Sequence, residues 1–332
     1  MKHGIITLPL ISVFILTFAS CSQNFITNDG TAWATTYHVV YSGETDLSDS
    51  IKDQIALVDS ELSMFNPASA LSAVNAGECD TVNVHFRTIF DCAVYVNALS
   101  GGRYDPTVAP LVDLWGFGRV DTDGTPSDSL IEAALASVGI GECKIGRRGR
   151  LMRKTSDTRF DFSSLAKGYG VDCVAEMLER NGVKNYMVEI GGEIRVLGYN
   201  PKGRKWRIQI DEPRLEAVHS RFTVLELGPE PVAVATSGNY RNYRKGADGL
   251  IYGHTISPVT GRPLKTDVLS ATVVAPTCML ADALATACMT GDAAQAEQPV
   301  VLAGTAALLI CGGENEELST KKIGCLPTTE NP

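Results

Sequence analysis

Apolar residues recur at helical spacing in several stretches of the chain. In the first of these, Ile51, Ile55, Val58 and Leu62 fall on one face, which predicts a helix over 49–64. Thr277 has the hydroxyl side chain that is favoured at a helix N-cap, so a late helix is predicted to follow it. Further helices are predicted over 84–99, 130–138, 171–180 and 279–289.

Other stretches are rich in β-branched and aromatic residues, which is typical of strands. Before residue 185 the prediction is one strand over 31–41, a hairpin over 144–154 and a half-buried strand over 158–162. After it, strands dominate, over 186–190, 194–199, 206–211, 222–227, 232–236, 251–256, 270–274 and 306–310. Several helices and a run of neighbouring strands predict an α+β fold with a mostly antiparallel sheet.

The stretch from Asp161 to Asp172 joins a predicted strand to a predicted helix through small residues. A helix N-terminus presents unpaired N–H groups and a partial positive charge, which suit a phosphate. Lys167 adds a full charge, and Gly168 and Gly170 allow a ligand to approach the backbone closely. An ordinary strand-to-helix turn, with an N-cap serine and a solvated lysine, explains the same residues. Both interpretations stay open at this point.

Asp282 and Thr286 are four residues apart in a predicted helix, so their side chains point from one face. A carboxylate and a hydroxyl are hard oxygen donors, and Mg²⁺ prefers a few such ligands together with water and phosphate oxygens. The alternative is structural: an aspartate that complements the helix dipole and a threonine that bonds back to its own helix.

His254 follows a predicted strand and precedes a turn that contains Pro258, and its imidazole could act as a general base near neutral pH. A structural histidine at a strand end is the alternative. Thr236-Ser237-Gly238 ends another strand and could bond a ligand or form a local turn. The chain lacks the sequence signatures of P-loop proteins, α/β-hydrolases and zincins.

Composition narrows the class of protein further. The chain has 332 residues, of which 44% are hydrophobic and 20% charged, as in a soluble globular domain. A net charge of −9 argues against nucleic acid as a partner. Of nine cysteines, eight remain beyond Cys21, and none has the spacing of a metal site. Several of the eight lie among apolar residues, which favours buried free thiols, although an oxidising compartment would permit a disulfide whose partners the sequence does not identify.

The N-terminus has the pattern of a bacterial export signal. Lys2 is followed by an apolar run and then by Phe18-Ala19-Ser20-Cys21, which resembles a lipobox. We expect residues 1–20 to be a signal peptide, Cys21 to be lipidated, 21–30 to form a tether and 31–325 to form the folded domain. Phe18 replaces the usual leucine of a lipobox, and a plain signal peptide without lipidation is the alternative. Acyl chains on Cys21 would attach the protein to a membrane.

Several segments, taken in order along 30–310, resemble the ApbE family, the periplasmic FAD:protein FMN transferases. They are Tyr104-Asp105-Pro106-Thr107, Leu114-Trp115-Gly116-Phe117-Gly118, Asp161 through Lys167-Gly168-Tyr169 to Asp172, Glu189-Ile190-Gly191-Gly192-Glu193, Thr236-Ser237-Gly238, His254-Thr255-Ile256-Ser257-Pro258 and Ala281-Asp282-Ala283-Leu284-Ala285-Thr286.

The resemblance implies an α+β, T-fold-like core that binds FAD in a deep groove with Mg²⁺ on its diphosphate. It also implies that FMN is transferred to a threonine or serine of an acceptor protein and AMP is released. The implied acceptors are flavoprotein subunits of membrane redox complexes on the periplasmic side of a bacterial membrane. Two alternatives stay open, a Mg²⁺-dependent FAD pyrophosphatase and a flavin-binding lipoprotein without turnover.

The resemblance also implies roles for individual residues. His254 is the implied base; Phe65, Asp105, Thr107, Asp161, Lys167 and Ile256 would bind FAD; Ser164 (by its carbonyl), Asp282 and Thr286 would bind Mg²⁺. The chain departs from the family pattern in its first strand, where Trp33-Ala34-Thr35 replaces Met-Gly-Thr.

Overall fold

The computed structural model describes residues 24–118, 125–213, 220–238, 243–245, 251–253, 255–264, 266–312 and 317–327, and for 243–245 and 251–253 only the backbone. The signal peptide, Cys21 and His254 therefore lie outside the described residues. No helix within the described ranges combines the length and apolar character needed to cross a membrane.

The described helices are α1 (Ser48–Leu62), α2 (Ala70–Asn75), α3 (Val84–Leu99), α4 (Ala109–Leu114), α5 (Asp128–Leu135), α6 (Ala166–Arg180), α7 (Cys278–Cys288) and α8 (Ala293–Leu302). The strands are β1 (Phe25–Ala32), β2 (Thr35–Ser42), β3 (Lys144–Ile145), β4 (Leu151–Met152), β5 (Tyr186–Ile190), β6 (Glu193–Leu197), β7 (Trp206–Asp211), β8 (Arg221–Leu227), β9 (Val232–Gly238), β10 (Tyr243–Lys245), β11 (Ile251–Gly253), β12 (Val268–Ala275), β13 (Ala306–Gly312) and β14 (Leu318–Ile323).

One antiparallel sheet of eight strands organises the described chain, in the order β1-β2-β5-β6-β9-β12-β13-β14. Helices α6 and α7 lie side by side across its centre, α6 over β5 and β6 and α7 over β9 and β12. The predicted α+β class with a mostly antiparallel sheet is confirmed.

Three apolar clusters hold these layers together. One joins α1 and α6 to the first strands of the sheet, and a second joins α3, α7 and α8 to its last strands. The third lies on the opposite face, where the β7–β8 hairpin covers the sheet through Trp206, Ile208 and Leu225. The sheet is thus covered on both faces, which fixes the ends of its central strands in space.

The predicted single strand over 31–41 was wrong, because the chain reverses direction within it. Trp33 and Ala34 have φ values of 49° and 61°, the left-handed backbone that joins β1 to β2 in a tight hairpin. The predicted tether over 21–30 was wrong at its end, because Phe25 already begins β1. Neither Trp nor Ala is typical of such a turn, so residue preference gave no signal for it.

Two further segments differ from what the sequence indicates. Residues 158–162 form no strand and make a single parallel bridge, between Arg159 and Val108. Helix α8 contains Pro299, which argues against a helix interior in the sequence. The helix expected over 84–99 and the Thr277 cap are confirmed, since the Thr277 side chain accepts from the N–H of Leu280.

Candidate active site

The extended segment before α6 is anchored by aromatic rings. Phe160 and Phe162 are fully buried, and their ring centroids lie 5.5 and 5.2 Å from that of Phe86 in edge-to-face contacts. Because side chains alternate along an extended segment, Asp161 points the opposite way, into a groove. Its N–H donates to the carbonyl of Pro106 at 2.7 Å, which holds the 105–107 loop beside it.

The Asp105 and Thr107 side chains stabilise that loop from within. One Asp105 oxygen accepts from the Thr107 N–H at 2.8 Å and from its hydroxyl at 2.6 Å. The other accepts from the N–H of Ile140 at 2.9 Å. The N–H of Gly139 donates to the Thr107 hydroxyl at 2.7 Å, and Thr107 is fully buried. These two side chains are therefore engaged with protein atoms, which leaves the loop backbone as its ligand-facing part.

Ser164 lies in the turn that leads into α6. Its hydroxyl is 3.0 Å from the hydroxyl of Tyr104, a buried tyrosine that lines the groove. Burial raises the pKa of Tyr104 well above its ordinary value, so this phenol stays protonated and available to donate. The N-cap of α6 is Leu165, without a side-chain cap, so the serine cap considered in the sequence analysis is absent.

Helix α7 brings Asp282 and Thr286 to the same groove. Oδ2 of Asp282 accepts from the N–H of Gly168 at 3.0 Å. This N–H lies in the first turn of α6 and has no acceptor within its own helix, so Asp282 supplies one. The Thr286 hydroxyl is 3.2 Å from that of Ser237 at the end of β9. Asp282 is only 4% exposed, which places its charge deep in the protein.

Lys167, Glu193 and Asp282 form the charged floor of the groove. Lys167 pairs with Glu193, the first residue of β6, which is only 3% exposed. Burial raises the pKa of Asp282 to about 8, and Glu193 adds to this effect while Lys167 opposes it. Burial alone would lower the pKa of Lys167, but the nearby carboxylates outweigh it and raise that pKa. The floor thus has two carboxyl groups for one ammonium group.

The groove that these groups line has a volume of about 740 Å³, within the usual range of about 300–1,000 Å³ for ligand sites. Eight of the predicted site residues line it: Phe65, Asp105, Asp161, Ser164, Lys167, Ile256, Asp282 and Thr286. Thr107 does not, because it is buried behind the loop. Phe65 is 65% exposed, so its ring is accessible from the groove that it lines.

The donor set fits a hard divalent cation. Asp282, Thr286 and Ser164 offer carboxylate, hydroxyl and carbonyl oxygens, and the raised pKa of Asp282 shows that its negative charge is poorly balanced. No group of three or more His, Cys, Asp or Glu that could hold a metal occurs in the described ranges. Water or phosphate oxygens would complete the coordination of a cation here, as is usual for Mg²⁺.

Sequence reasoning did not foresee several contacts between residues of this chain that build the site. Glu193 was named only as part of a family-like segment, yet it pairs with Lys167, and its Oε2 is buried without a hydrogen-bond partner among the described residues. Ser237 contacts Thr286, and Asp172 and Arg195 form a buried pair behind α6. Only the strand register and helix packing reveal these contacts.

Comparison with known proteins identifies the family of the chain. The sequence profile described as "ApbE family" matches residues 30–309. The chain belongs to the ApbE family. A relative from Vibrio cholerae, named FAD:protein FMN transferase, is 39% identical over 270 residues, 78% of this chain and 79% of its own length. A relative of the same name from Haemophilus influenzae is 36% identical and covers 82% of each chain.

Solved ApbE structures share the fold. The flavin transferase ApbE from Vibrio cholerae superposes with a TM-score of 0.80 at 33% identity, over 91% of this chain and 97% of that one. The apo flavinyl transferase ApbE from Pseudomonas stutzeri gives 0.79 at 30% identity, over 91% and 95%. The chain is thus an enzyme of a transferase family, and the T-fold-like ApbE core expected from the sequence is confirmed.

Proposed function

We propose that this chain is a Mg²⁺-dependent FAD:protein FMN transferase. The observation that carries the proposal is the convergence of Lys167, Ser164, Asp282 and Thr286 on one groove, although they come from two distant parts of the chain. Relatives that are 36–39% identical to this chain over the aligned residues bear the name of this activity. The groove supplies hard oxygen donors and an ammonium group for a diphosphate, with apolar residues such as Phe65 for a flavin ring.

The proposed reaction is a phosphoryl-group transfer. The hydroxyl oxygen of a threonine or serine in the acceptor protein bonds to the phosphorus of the FMN half of FAD. The anhydride P–O bond breaks, AMP departs with the electron pair, and the hydroxyl proton passes to a base. Threonine and serine hydroxyls are weak nucleophiles, so a base is needed; His254, which lies outside the described residues, is our proposed base.

The described residues would bind the metal ion and the phosphates and would position FAD. Ser164, Asp282 and Thr286 would hold Mg²⁺, which would neutralise the diphosphate charge as the bond opens. Lys167, held by Glu193, would donate hydrogen bonds to phosphate oxygens. The 105–107 loop, Asp161 and Ile256 would position FAD; Ile256 is 5% exposed and its strand-like bridge to Pro263 fixes its backbone.

The proposal is tested by incubating the protein with FAD, Mg²⁺ and an acceptor flavoprotein subunit of a membrane redox complex. Flavin fluorescence on the denatured acceptor, with one AMP released per flavin attached, is the expected result. Free FMN with AMP and an unlabelled acceptor would assign the chain as an FAD pyrophosphatase instead. Bound FAD without either product would assign it as a flavin-binding protein.

We also propose that the protein works on the periplasmic side of a bacterial membrane, attached through lipid on Cys21 after removal of residues 1–20. The support is the apolar run and lipobox-like Phe18-Ala19-Ser20-Cys21. Cys21→Ala should shift the protein from the membrane fraction to the soluble fraction of disrupted cells. Unchanged membrane association of that variant would contradict the anchor.

A further inference from the structure

Asp172 is a residue of α6, and its carboxylate binds the beginning of α7. Its Oδ1 accepts from the N–H of Cys278 at 2.9 Å, and its Oδ2 accepts from the N–H of Met279 at 2.9 Å. Cys278 and Met279 are the first two residues of α7, whose N–H groups have no partner within their own helix. A carboxylate from another helix thus completes the N-terminus of α7.

Two links, one helical turn apart, join the two helices. Gly168 binds Asp282, and Asp172 binds Cys278. On each helix the two residues involved are four positions apart. One link alone would allow α7 to pivot about it, whereas two links fix its position along α6. A side chain at Gly168 would overlap the carbonyl of Cys278, so the helices are also in close backbone contact.

The Asp172 carboxylate is itself held rigidly. Arg195 of β6 donates from Nη1 to Oδ1 of Asp172 at 2.8 Å and from Nη2 to Glu179 at 3.2 Å. The Tyr186 hydroxyl donates to the same Glu179 oxygen at 2.6 Å. Asp172 and Arg195 are 4% and 8% exposed. A buried ion pair with this many hydrogen bonds has little freedom to rearrange, so it keeps the Asp172 carboxylate in one position.

The two halves of the candidate site are carried by the two linked helices. Asp282 and Thr286 lie one and two turns along α7 from Cys278. Lys167 lies in the first turn of α6, and Ser164 lies in the turn just before that helix. A binding site built from two elements needs each held within about 0.5 Å of its working position. The spacing of the site therefore depends on how α7 is seated against α6.

We propose that Asp172 is a positioning residue, which seats the N-terminus of α7 against α6 and thereby sets the separation of the two halves of the divalent-cation and diphosphate site. The inference rests on the proposed function, because it concerns the site that this function would use. Asp172 does not line the groove, so its effect must pass through α7.

Mn²⁺ binding by the whole protein, followed by electron paramagnetic resonance in the absence of FAD, tests this role without relying on activity. Asp172→Asn keeps the size of the side chain but offers only one oxygen to its three donors. Glu179→Gln is the matched control, because it perturbs the other partner of Arg195 without touching α7. We expect Asp172→Asn to weaken Mn²⁺ binding about tenfold or more and Glu179→Gln to leave it within about twofold.

A second variant separates positioning from folding. Asp172→Asn leaves Arg195 without its closest carboxylate, which can destabilise the protein severely. The double variant Asp172→Asn with Arg195→Met removes both charges of the pair, which is often tolerated. If Asp172 acts by seating α7, this double variant folds, as thermal unfolding reports, and still binds Mn²⁺ about tenfold more weakly.

The outcomes separate this inference from the proposed function. Unchanged Mn²⁺ affinity in the folded Asp172 variants, or an equal loss in Glu179→Gln, would overturn the positioning role. Flavin transfer by the unaltered chain is measured in parallel. If that chain binds Mn²⁺ but transfers no flavin, the proposed function fails while the Mn²⁺ comparison still decides the role of Asp172. If the unaltered chain binds no Mn²⁺, the positioning role is refuted, and the parallel transfer assay alone decides the proposed function.

Discussion

The backbone N–H of Gly168 donates to Oδ2 of Asp282 at 3.0 Å, across 114 residues of sequence. This bond brings the first turn of α6 against the middle of α7, where the two helices share a groove. Lys167 precedes Gly168, so the same contact places an ammonium group beside a buried carboxylate. The charged floor of the groove follows from this one close approach.

Gly168→Ala should damage the site through packing alone. An added Cβ would overlap the Cys278 carbonyl oxygen and come within 2.9 Å of the Asp282 Cβ, so α6 and α7 must separate. Overpacking of this kind costs about 1–3 kcal/mol, and we expect a lower melting temperature together with weaker Mn²⁺ binding. Gly141→Ala is the control, because its added Cβ would meet only the Asn97 side chain, at 3.7 Å. Normal Mn²⁺ binding by Gly168→Ala would contradict the need for this close contact.

Asp282→Asn should stabilise the metal-free protein at alkaline pH. The pKa of Asp282 is about 8 in the folded protein and 3.8 as an ordinary carboxyl, so the folded state binds the extra proton between these values. The unfolding free energy then falls as pH rises from 4 to 8, and asparagine removes this loss. In EDTA, the variant should melt higher than the unaltered protein at pH 8.5 and no higher near pH 4.

Thermal melts between pH 4 and pH 9 check this prediction, with Asp53→Asn at an exposed position as the control. Added Mn²⁺ should raise the melting temperature of the unaltered protein and the control but not that of Asp282→Asn. A variant that is less stable than the unaltered protein at pH 8.5 would show that the Asp282 charge is already balanced.

Lys167→Met should weaken FAD binding while it keeps most of the apolar stem of the side chain. A hydrogen bond to a charged group contributes about 1.5–3 kcal/mol, so we expect a dissociation constant at least about tenfold higher. Lys154→Met is the control, because Lys154 is also partly buried but pairs with Glu142 away from the groove. Titration of flavin fluorescence gives both constants, and equal effects of the two variants would remove Lys167 from the binding site.

Glu193→Gln should act on FAD binding through Lys167. The substitution keeps the shape of the side chain but removes the charge that holds the ammonium group. We expect a smaller loss of FAD affinity than in Lys167→Met, and no additional loss when the two substitutions are combined. Additive losses in this double-mutant cycle would indicate that Glu193 contacts the ligand independently.

Thr107→Val should act on stability rather than on ligand contacts. Valine has a similar shape but leaves the Gly139 N–H without its acceptor, and a buried group of this kind costs about 1–3 kcal/mol. Thr107→Ser keeps the hydroxyl and should retain more of the stability. Urea unfolding of both variants measures the difference. If both lose FAD affinity equally without losing stability, Thr107 acts as a ligand residue after all.

The helices that face the core were the most predictable part of the fold. The apolar stripe of α3 gave its ends at Val84 and Leu99, and the Thr277 hydroxyl marked the start of α7. The β1–β2 turn was missed because Trp33 and Ala34 occupy left-handed positions that such residues rarely adopt. Here the tertiary packing of the Trp33 ring against Gly170 outweighs local preference.

For the site, motif order identified the groove-lining residues better than any local property did. Asp282 and Thr286 share a helix face, which their spacing predicted. Asp105 lines the groove, but internal hydrogen bonds use its carboxylate, and sequence spacing cannot show where a carboxylate finds its donors. The pairing of Glu193 with Lys167 joins β6 to α6, and only the assembled sheet brings them together.

In the proposed reaction, FAD is cleaved in this groove and Asp282 contributes as a ligand of Mg²⁺. The most direct measurement is flavin attachment to an acceptor subunit by the unaltered protein, Asp282→Asn and Asp53→Asn, at equal FAD and Mg²⁺ concentrations. We predict that the unaltered protein and Asp53→Asn label the acceptor and release AMP, while Asp282→Asn does neither although it remains folded. Labelling by Asp282→Asn at the rate of the unaltered protein would contradict a role of Asp282 in FAD cleavage.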